Sequence, residues 1–357
     1  MRIAQIAPLW VPVPPRTHGG TELVVSLLTE ELVRRGNEVT LFASGDSQTS
    51  GKLVSTCARA IWRDPTLKDP HACIMSLLGR VITHANDFDI IHSHTGFYFT
   101  PFAQHIPTPV VQTLHRPIYP ETHRLYQEAK NVSFVAISQD QAKSATPLPI
   151  AKMIYNGIDI AKYPFAPESR GYLLFLSRIA PDKGVIEAIE AARLAKKKLI
   201  IAGNIIRRKF TGDDDYDFFV RRVKPRIDGE QIIYAGEADF GKKVELMRGA
   251  DALLFPIRRR EPFGLVVPES FACGTPVIAF TRGSTAELIE EGKTGFLVGS
   301  IRAMAQAAER VKELDRSECR KVAEERFSHL RMADEYETLY REILDQRLTA
   351  NNSRRAQ

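Results

Sequence analysis

The feature that most constrains the fold is an alternation, along most of the chain, of short β-rich runs with stretches of helical periodicity. Residues 2–7 are apolar and strand-like, the leucines of residues 21–35 recur at helical spacing, and residues 39–43 are strand-like again. Such an alternation predicts parallel sheets whose two faces are covered by helices. The predicted fold class is therefore α/β.

The alternation breaks near the middle of the chain and then resumes. Residues 163–167 contain two prolines, show little periodicity and are typical of a linker. A chain of 357 residues is also long enough for about two domains. We predict two doubly wound domains in series: residues 1–165, joined by a C-terminal helix at about 328–346, and residues 168–327. Further strands are predicted at 90–92, 110–113, 134–137, 153–155, 172–176, 199–202, 232–234, 252–255 and 277–279.

Composition narrows the class of protein. The net charge is +6 and the basic residues form short clusters, which suits a polyanionic partner such as a nucleotide, an anionic membrane face or nucleic acid. No apolar run approaches the roughly 20 residues of a membrane helix, and the start of the chain lacks a signal-peptide pattern. The four cysteines are scattered without a Cys-x-x-Cys pair, so we expect free thiols in a reducing cytoplasm. A weak peripheral contact with the inner membrane face is left open.

The most informative segment runs from residue 261 to residue 279 and follows a predicted strand. We predict that Glu261 lies in the loop after that strand, that a helix begins near Gly264, and that Glu269 lies about one turn into the helix. A glycine lets the backbone approach a ligand, and the amides of a helix N-terminus favour a phosphate. Two carboxylates beside such a point are good acceptors for paired sugar hydroxyls. The segment therefore predicts a site for a phosphate and a sugar.

This segment resembles the Glu-x7-Glu motif of the family 4 retaining glycosyltransferases, whose fold is GT-B: two doubly wound, Rossmann-like domains facing across a cleft. The resemblance implies that Glu261 contacts the transferred sugar and that Glu269 holds the nucleotide ribose. It also implies that the amides of Phe263, Gly264 and Leu265 bind the pyrophosphate. The N-terminal domain would then be the acceptor side, and the C-terminal domain would bind the nucleotide sugar.

A second loop, residues 176–184, carries two cations five residues apart between a predicted strand and a predicted helix. Both cations, Arg178 and Lys183, can reach one pyrophosphate and neutralise the charge that develops on a leaving group. The loop is similar to the Gly-Arg-x4-Lys-Gly element of the family, with Ser177 in place of the usual glycine. The resemblance implies a pyrophosphate-binding and catalytic role for Arg178 and Lys183.

Two elements of the first domain complete the predicted site. Residues 18–22 are similar to the family's Gly-Gly-x-Glu element, which implies that the amide of Gly20 faces the donor phosphate. His115 matches the family histidine near the reacting sugar carbon, and we predict an orienting, hydrogen-bonding role for it. His92 and His94 lie on one side of a predicted strand, as a metal pair would. Because no third ligand has a convincing spacing, we interpret both as residues of a cleft edge or of the core.

The resemblance implies a nucleotide diphosphate sugar as the donor, and neither cofactor nor metal. The acidic residues Asp213, Asp214 and Asp215 suggest a metal site by composition, but we interpret them as the solvated start of a helix. The segment from Pro256 to Glu261 has one residue more than the commonest spacing in the family, where this loop lies near the nucleotide base. We expect a UDP-sugar, with a GDP-sugar as the second choice. The acceptor is unidentified: a sugar, a small molecule or a lipid-linked group.

The same sequence features are compatible with two functions other than a hexosyltransferase. A nucleotide-sugar 2-epimerase shares the architecture and the donor, but it needs acid/base carboxylates in motifs that are not found here. A basic nucleic-acid-binding protein would account for the charge, but the basic clusters lack interleaved aromatics and no recognised module is present. We therefore expect a glycosyltransferase with no nucleic-acid partner.

Overall fold

The computed structural model describes residues 1–206 and 215–355, with side chains through residue 349, and the chain divides into two compact units. Unit 1 comprises Met1–Gly157 together with the C-terminal helix, and unit 2 comprises Ile158–Ser328. Each unit is built on one sheet in which the strands pair in parallel. The α/β prediction is confirmed.

Unit 1 has a sheet whose spatial order, over the described residues, is β3-β2-β1-β4-β5-β6-β7. Its strands are β1 (Arg2–Ile6), β2 (Glu38–Phe42), β3 (Lys52–Val54), β4 (Ile90–Ser93), β5 (Val110–Leu114), β6 (Val132–Ala136) and β7 (Ile150–Met153). Its helices are α1 (Gly20–Arg34), α2 (Pro70–Thr83), α3 (Pro120–Gln127) and α4 (Gln139–Ser144). Strands β4 and β5 are buried at every position, as expected when helices cover both faces of a parallel sheet.

Unit 2 repeats this plan with the spatial order β10-β9-β8-β11-β12-β13 over the described residues. Its strands are β8 (Tyr172–Leu176), β9 (Lys198–Ala202), β10 (Ile232–Tyr234), β11 (Ala250–Phe255), β12 (Val277–Phe280) and β13 (Gly295–Val298). Its helices are α5 (Val185–Leu194), α6 (Asp215–Phe218), α7 (Phe240–Gly249), α8 (Val266–Ala272), α9 (Thr285–Leu288), α10 (Ile301–Arg310) and α11 (Arg316–Arg326).

The last helix, α12 (His329–Arg355), belongs to unit 1 and packs against α1. Its buried apolar residues recur at helical spacing along one face: Met332, Ala333, Tyr336, Leu339 and Tyr340. Arg35, just past the end of α1, forms ion pairs with Asp334 and Glu337 of α12. Among the described residues no helix combines the length and the apolar character needed to cross a membrane.

Three differences from the sequence predictions have physical causes. Strand β3 was not predicted and β7 begins three residues before the predicted range, because both are half-exposed edge strands without a strong apolar pattern. The edge strand β13, which is largely buried, was also not predicted. Residues 163–167 are not a free linker. The Ala166 amide donates to Cys273 and the Arg320 guanidinium donates to the Tyr163 carbonyl, so this segment packs within unit 2. Unit 1 accordingly ends at Gly157 rather than at residue 165.

Candidate active site

The strand order of unit 2 places its central loops at a topological switch point. Strands β8 and β11 are neighbours, while the chain leaves β8 towards β9 on one side and continues from β11 to β12 on the other. In open parallel sheets, ligands bind in the crevice outside the carboxyl ends of two such strands. Arg178 and Lys183 follow β8, and Glu261 follows β11, so three of the predicted site residues lie at this edge of the sheet.

The Lys183 ammonium and the Glu261 carboxylate form an ion pair across this edge. The Lys183 Nζ to Glu261 Oε2 distance is 2.7 Å, and each side chain retains less than a fifth of its exposure, 17% and 18%. A pair this close and this enclosed feels a lower dielectric than a surface pair, so its electrostatic coupling is stronger. The structure therefore brings the predicted phosphate cation and the predicted sugar-binding carboxylate together.

Arg178 is held in the same crevice by two carboxylates. Its guanidinium donates to Asp182 at 3.2 Å and to Asp215 at 3.1 Å, and Asp182 also pairs with Arg259 at 2.9 Å. Asp215 is buried, so the expectation of a solvated helix start is wrong for this residue because it is the partner of Arg178. Asp213 and Asp214 lie outside the described residues.

Two glycines allow the loops of this edge to approach each other. Gly184 has φ +80°, and a Cβ there would overlap the carbonyl oxygen of Pro256. Gly283 has φ +62°, and a Cβ there would overlap the backbone of Glu261. Ser284 adds two hydrogen bonds: its amide donates to the Glu261 carbonyl and its hydroxyl to the Phe263 carbonyl, at 3.0 and 2.7 Å. The loop after β12 thus packs directly against the backbone that carries Glu261.

The turn at Phe263, Gly264 and Leu265 comes next in the chain. Gly264 has φ +85°, a left-handed conformation, and a Cβ there would lie 3.1 Å from the ring of Phe255. Helix α8 begins at Val266, two residues later than predicted. The amides of Gly264 and Leu265 have no hydrogen-bond acceptor in the part of the chain that the structure describes. They can therefore donate to an anion.

Glu269 belongs to a separate ionic cluster in the first turn of α8. One of its oxygens, Oε1, accepts hydrogen bonds from Lys243 Nζ at 2.6 Å and from the Tyr163 hydroxyl at 2.7 Å. Burial and the neighbouring carboxylate raise the pKa of Tyr163 far above its usual value, so the phenol keeps its proton and donates it. This arrangement leaves the second carboxylate oxygen, Oε2, to accept hydroxyl groups from a ligand.

In unit 1 the glycine pair precedes α1. Gly19 has φ +140°, and a Cβ there would lie 2.7 Å from Val11 and 2.9 Å from Pro15, so this position needs glycine. Gly20 is the exposed first residue of α1, and among the described residues no side chain caps this helix start. Glu22, the third residue of α1, is buried, and burial raises its pKa to about 7. Gly20 thus presents an uncapped backbone end.

One hydrogen-bonded network in unit 1 contains His92, His94 and His115. His115 Nε2 lies 2.8 Å from His94 Nδ1, and His94 Nε2 lies 2.9 Å from Gln5 Oε1. His92 Nδ1 lies 2.6 Å from the Tyr340 hydroxyl, and His92 Nε2 lies 2.7 Å from Thr113 Oγ1. All four ring nitrogens of His92 and His94 are therefore used by protein groups. Within residues 1–206 and 215–355, no group of three or more His, Cys, Asp or Glu could hold a metal ion.

Burial favours the neutral form of the histidines in this network. Burial lowers the pKa of His92 and of His94 well below the usual value. Burial, with a smaller contribution from Arg116, lowers the pKa of His115 to about 3. Both His92 and His94 are buried, and the sequence had left a cleft edge or the core open for them.

Several residues of these clusters were not identified from the sequence. Gln5 is a polar residue between the apolar residues Ala4 and Ile6 of β1, and this position is the signal that could have found it. Lys243, Asp182 and Ser284 carry no such signal, since each is an ordinary helix or loop residue in the sequence. Only the folded structure shows that Lys243 contacts Glu269, that Asp182 contacts Arg178, and that Ser284 contacts the backbone of Glu261.

Comparison with known proteins assigns each unit to a family. A family model described as glycosyl transferases group 1 matches residues 159–327, and a model described as glycosyltransferase family 4 matches residues 18–162. The first match falls in unit 2 and the second spans most of unit 1. Neither match concerns an epimerase or a nucleic-acid-binding module.

Individual relatives agree with these matches. An uncharacterized glycosyltransferase of Methanocaldococcus jannaschii, MJ1607, is 24% identical over 334 residues, 80% of this chain and 82% of the relative. The phosphatidyl-myo-inositol mannosyltransferase of Mycobacterium leprae is 26% identical over 347 residues, 86% of each chain. Among solved structures, the Anabaena protein Alr3699/HepE in complex with UDP superposes with a TM-score of 0.72 at 21% identity, over 95% of this chain and 99% of that one. Two parallel-sheet domains, two family models and these relatives agree, and the chain belongs to the family 4 glycosyltransferases with the GT-B fold.

Proposed function

We propose that this glycosyltransferase transfers a hexosyl group from a nucleotide diphosphate sugar to its acceptor with retention of configuration at the sugar carbon. The observation that carries the proposal is the Lys183–Glu261 pair at 2.7 Å, with Arg178 in the same loop, at the switch point of unit 2. Cations bind a pyrophosphate and a carboxylate binds sugar hydroxyls, so this edge has the groups needed for both halves of such a donor.

The two cations act on the leaving group. When the bond between the sugar and the phosphate breaks, negative charge develops on the phosphate oxygens, and fixed positive charges stabilise the transition state more than the ground state. Arg178 and Lys183 are each held by carboxylates, so their orientation is set before the donor binds. The donor phosphates would replace part of these contacts.

The remaining donor contacts follow from the neighbouring turn and helix. The amides of Gly264 and Leu265, with that of Phe263, would donate to the pyrophosphate, and Glu269 would accept the ribose hydroxyls. Glu261, held by Ser284 and Gly283, would bind the hexose. In this proposal the amide of Gly20 contributes to the donor phosphate and His115 orients the transferred sugar.

The preferred nucleotide is UDP, with GDP as the second choice. The Alr3699/HepE structures in complex with UDP and with UDP-glucose support UDP as a ligand of this fold. The loop from Pro256 to Glu261, which carries the additional residue, is tied down by the Arg259–Asp182 pair at 2.9 Å and is the part of unit 2 that we expect to discriminate between bases. No metal is required in this proposal, since Arg178 and Lys183 supply the positive charge.

Retention is proposed to occur without a covalent protein intermediate. The leaving phosphate oxygen takes the proton of the acceptor hydroxyl while that hydroxyl attacks the oxocarbenium-like sugar on the same face. The bond between the acceptor oxygen and the sugar carbon forms, and the bond between that carbon and the phosphate oxygen breaks. The proton of the acceptor ends on the nucleoside diphosphate.

A donor-panel assay tests the proposal. UDP-hexoses and GDP-hexoses are incubated with the enzyme and EDTA, and free UDP or GDP is measured, first alone and then with candidate sugar, small-molecule and lipid-linked acceptors. We expect slow release of UDP without an acceptor and a large stimulation by the correct one. Isomerisation of the sugar with no nucleotide release would instead favour an epimerase, and no binding of either nucleotide diphosphate would reject the donor assignment.

A further inference from the structure

The histidine network of unit 1 has a defined direction. Gln5 Oε1 is an amide oxygen and can only accept, so the 2.9 Å contact requires a proton on His94 Nε2. Because His94 is neutral, its Nδ1 is then an acceptor. The 2.8 Å contact between His94 Nδ1 and His115 Nε2 therefore requires that His115 donates from Nε2.

The orientation of Gln5 is set in turn by the C-terminal helix. Gln5 Nε2 donates to the Tyr340 hydroxyl at 3.4 Å, and that hydroxyl donates to His92 Nδ1 at 2.6 Å. His92 Nε2 then donates to Thr113 Oγ1 at 2.7 Å. In this series of hydrogen bonds each group donates to the next one, from His115 through His94, Gln5 and Tyr340 to His92. Hydrogen bonds arranged in such a series strengthen one another.

The second ring nitrogen of His115, Nδ1, indicates what this hydrogen-bonded network does. His115 follows β5 directly, at the carboxyl end of a strand next to β4, and is half-buried, whereas Gln5, His92 and His94 are buried. Its Nδ1 has no hydrogen-bond partner in the part of the chain that the structure describes. With the proton on Nε2, Nδ1 carries a lone pair and accepts from a hydroxyl group.

We propose that His94, held by Gln5 and through it by Tyr340, is a positioning residue that fixes His115 with its proton on Nε2 and its Nδ1 as the acceptor for a hydroxyl of the sugar substrate. The hydroxyl part of this inference rests on the proposed function, whereas the proton position does not. Among the described residues, the titratable or charged groups that interact with His115 are His92 on β4, His94 just after that strand, and Arg116 beside it. Glu22 on α1 interacts with Arg116, and Tyr336 and Tyr340 on α12 pack against His92.

The proton position is tested by NMR of the enzyme labelled with 15N-histidine. His115 is assigned by comparison with a His115→Gln variant, and long-range 1H–15N correlations show which ring nitrogen carries the proton. We expect a proton on Nε2 that exchanges slowly enough to be observed at neutral pH, because it is hydrogen-bonded to His94. A His115 signal with the proton on Nδ1 would overturn the proposal, whatever the activity of the enzyme.

Variants of His94 test the positioning role. His94→Asn keeps an acceptor oxygen near the position of Nδ1, whereas His94→Leu removes the acceptor and keeps an apolar side chain of similar size. We expect the exchange-protected Nε2 proton to persist in His94→Asn and to disappear in His94→Leu. Tyr340→Phe, which removes only a hydroxyl, serves as a second variant if His94→Leu does not fold, and it should weaken the same signal.

Kinetics then separate positioning from general stability. With the active donor from the nucleotide-release assay, His94→Leu should lower kcat about 10- to 100-fold, as expected for a misplaced contact group. The Kd for UDP should stay within about twofold, since its proposed ligands lie mainly in unit 2. His94→Asn should recover most of kcat. Equal kcat in all three proteins would overturn the positioning role and leave the donor assignment intact, whereas failure of wild-type nucleotide release would reject the proposed function and leave the NMR result to stand.

Discussion

The two units hold their candidate site residues in opposite ways. In unit 2 the contacts are ionic: Lys183 with Glu261, Arg178 with two aspartates, and Lys243 with Glu269. In unit 1 the contacts around His115 are hydrogen bonds between neutral groups. The distribution of histidines in the sequence follows the same division, since all nine lie outside residues 158–328.

This difference between ionic and neutral contacts indicates which ligand groups each unit can recognise. Paired charges in a crevice can exchange partners with an anion, so unit 2 suits the diphosphate end of a donor. A neutral network has no charge to offer but fixes the direction of each donor and acceptor, which suits hydroxyl groups. The two units also differ in their response to pH, and the predictions below test the contrast from the largest effect to the smallest.

The largest effect is expected from acid. His92, His94 and His115 have folded-state pKa values below the unfolded value of 6.5, so the stability that they contribute is present above pH 6.5 and is lost as pH falls. Glu22, raised from 4.5 to about 7, acts in the opposite sense and gains stability as pH falls through 7. Three groups act against one, so we expect unit 1 to lose stability between pH 6.5 and pH 4.5.

Hydrogen exchange measured at several pH values tests the predicted loss of stability in unit 1. Amides of β1, β4 and β5 should lose protection at mildly acidic pH before those of β8 and β11, because unit 2 contains no histidine. Glu22→Gln should make the pH dependence of unit 1 steeper between pH 5 and pH 7. Simultaneous loss of protection in both units would contradict the contrast.

The second effect is on catalysis. Lys183→Ala and Glu261→Ala should each lower transfer at least about 100-fold, equivalent to about 2.7 kcal/mol of transition-state stabilisation. Each removes one partner of an enclosed pair, so circular dichroism and thermal unfolding must show that the variant is folded. Lys293→Ala, which breaks the exposed pairs of Lys293 with Glu290 and Glu318 in the same unit, is the matched control and should keep wild-type rates. Near-normal rates in both site variants reject the site assignment.

The third effect separates crowding from backbone strain in the turn after β11. Gly264→Ala meets both a φ of +85° and the Phe255 ring at 3.1 Å, whereas Gly292→Ala has a φ of +71° with nothing within 4 Å. The left-handed conformation costs a non-glycine residue about 1–2 kcal/mol. We expect Gly292→Ala to lose only that stability and Gly264→Ala to lose more, together with affinity for UDP measured by calorimetry. Equal losses of stability and unchanged UDP binding would show that the turn is not a phosphate ligand.

The smallest effect concerns the cluster around Glu269. Lys243→Met removes the ammonium that holds Glu269 Oε1 at 2.6 Å, and the Kd for UDP should rise about 10-fold, or about 1.4 kcal/mol, because the carboxylate is no longer oriented. The neighbouring Lys242→Met, which breaks only the exposed Lys242–Glu245 pair, should leave the Kd unchanged. A larger effect in the Lys242 variant would exclude Glu269 as an oriented ribose ligand.

The fold was largely predictable from the sequence. Buried strands such as β1, β8 and β11 are apolar and bounded by breakers, so their existence and type follow from local pattern. The edge strands β3 and β7 were missed or misplaced, since their half-exposed residues lack that pattern. The segment 163–167 has the composition of a linker, and only its contacts with Cys273 and Arg320 show that it is part of unit 2.

For the candidate site, the sequence by itself determined which residue types stand after which strands: the cations after β8, the first glutamate and the glycine after β11, and a histidine after β5. Tertiary structure alone decided how these groups are partnered. Lys183 meets Glu261, Lys243 meets Glu269, and His94 joins Gln5 to His115, each across a long separation in the chain. The physical reason is that a hydrogen bond needs two groups within about 3 Å in a set orientation. That proximity arises from sheet order and loop packing, which no local pattern encodes.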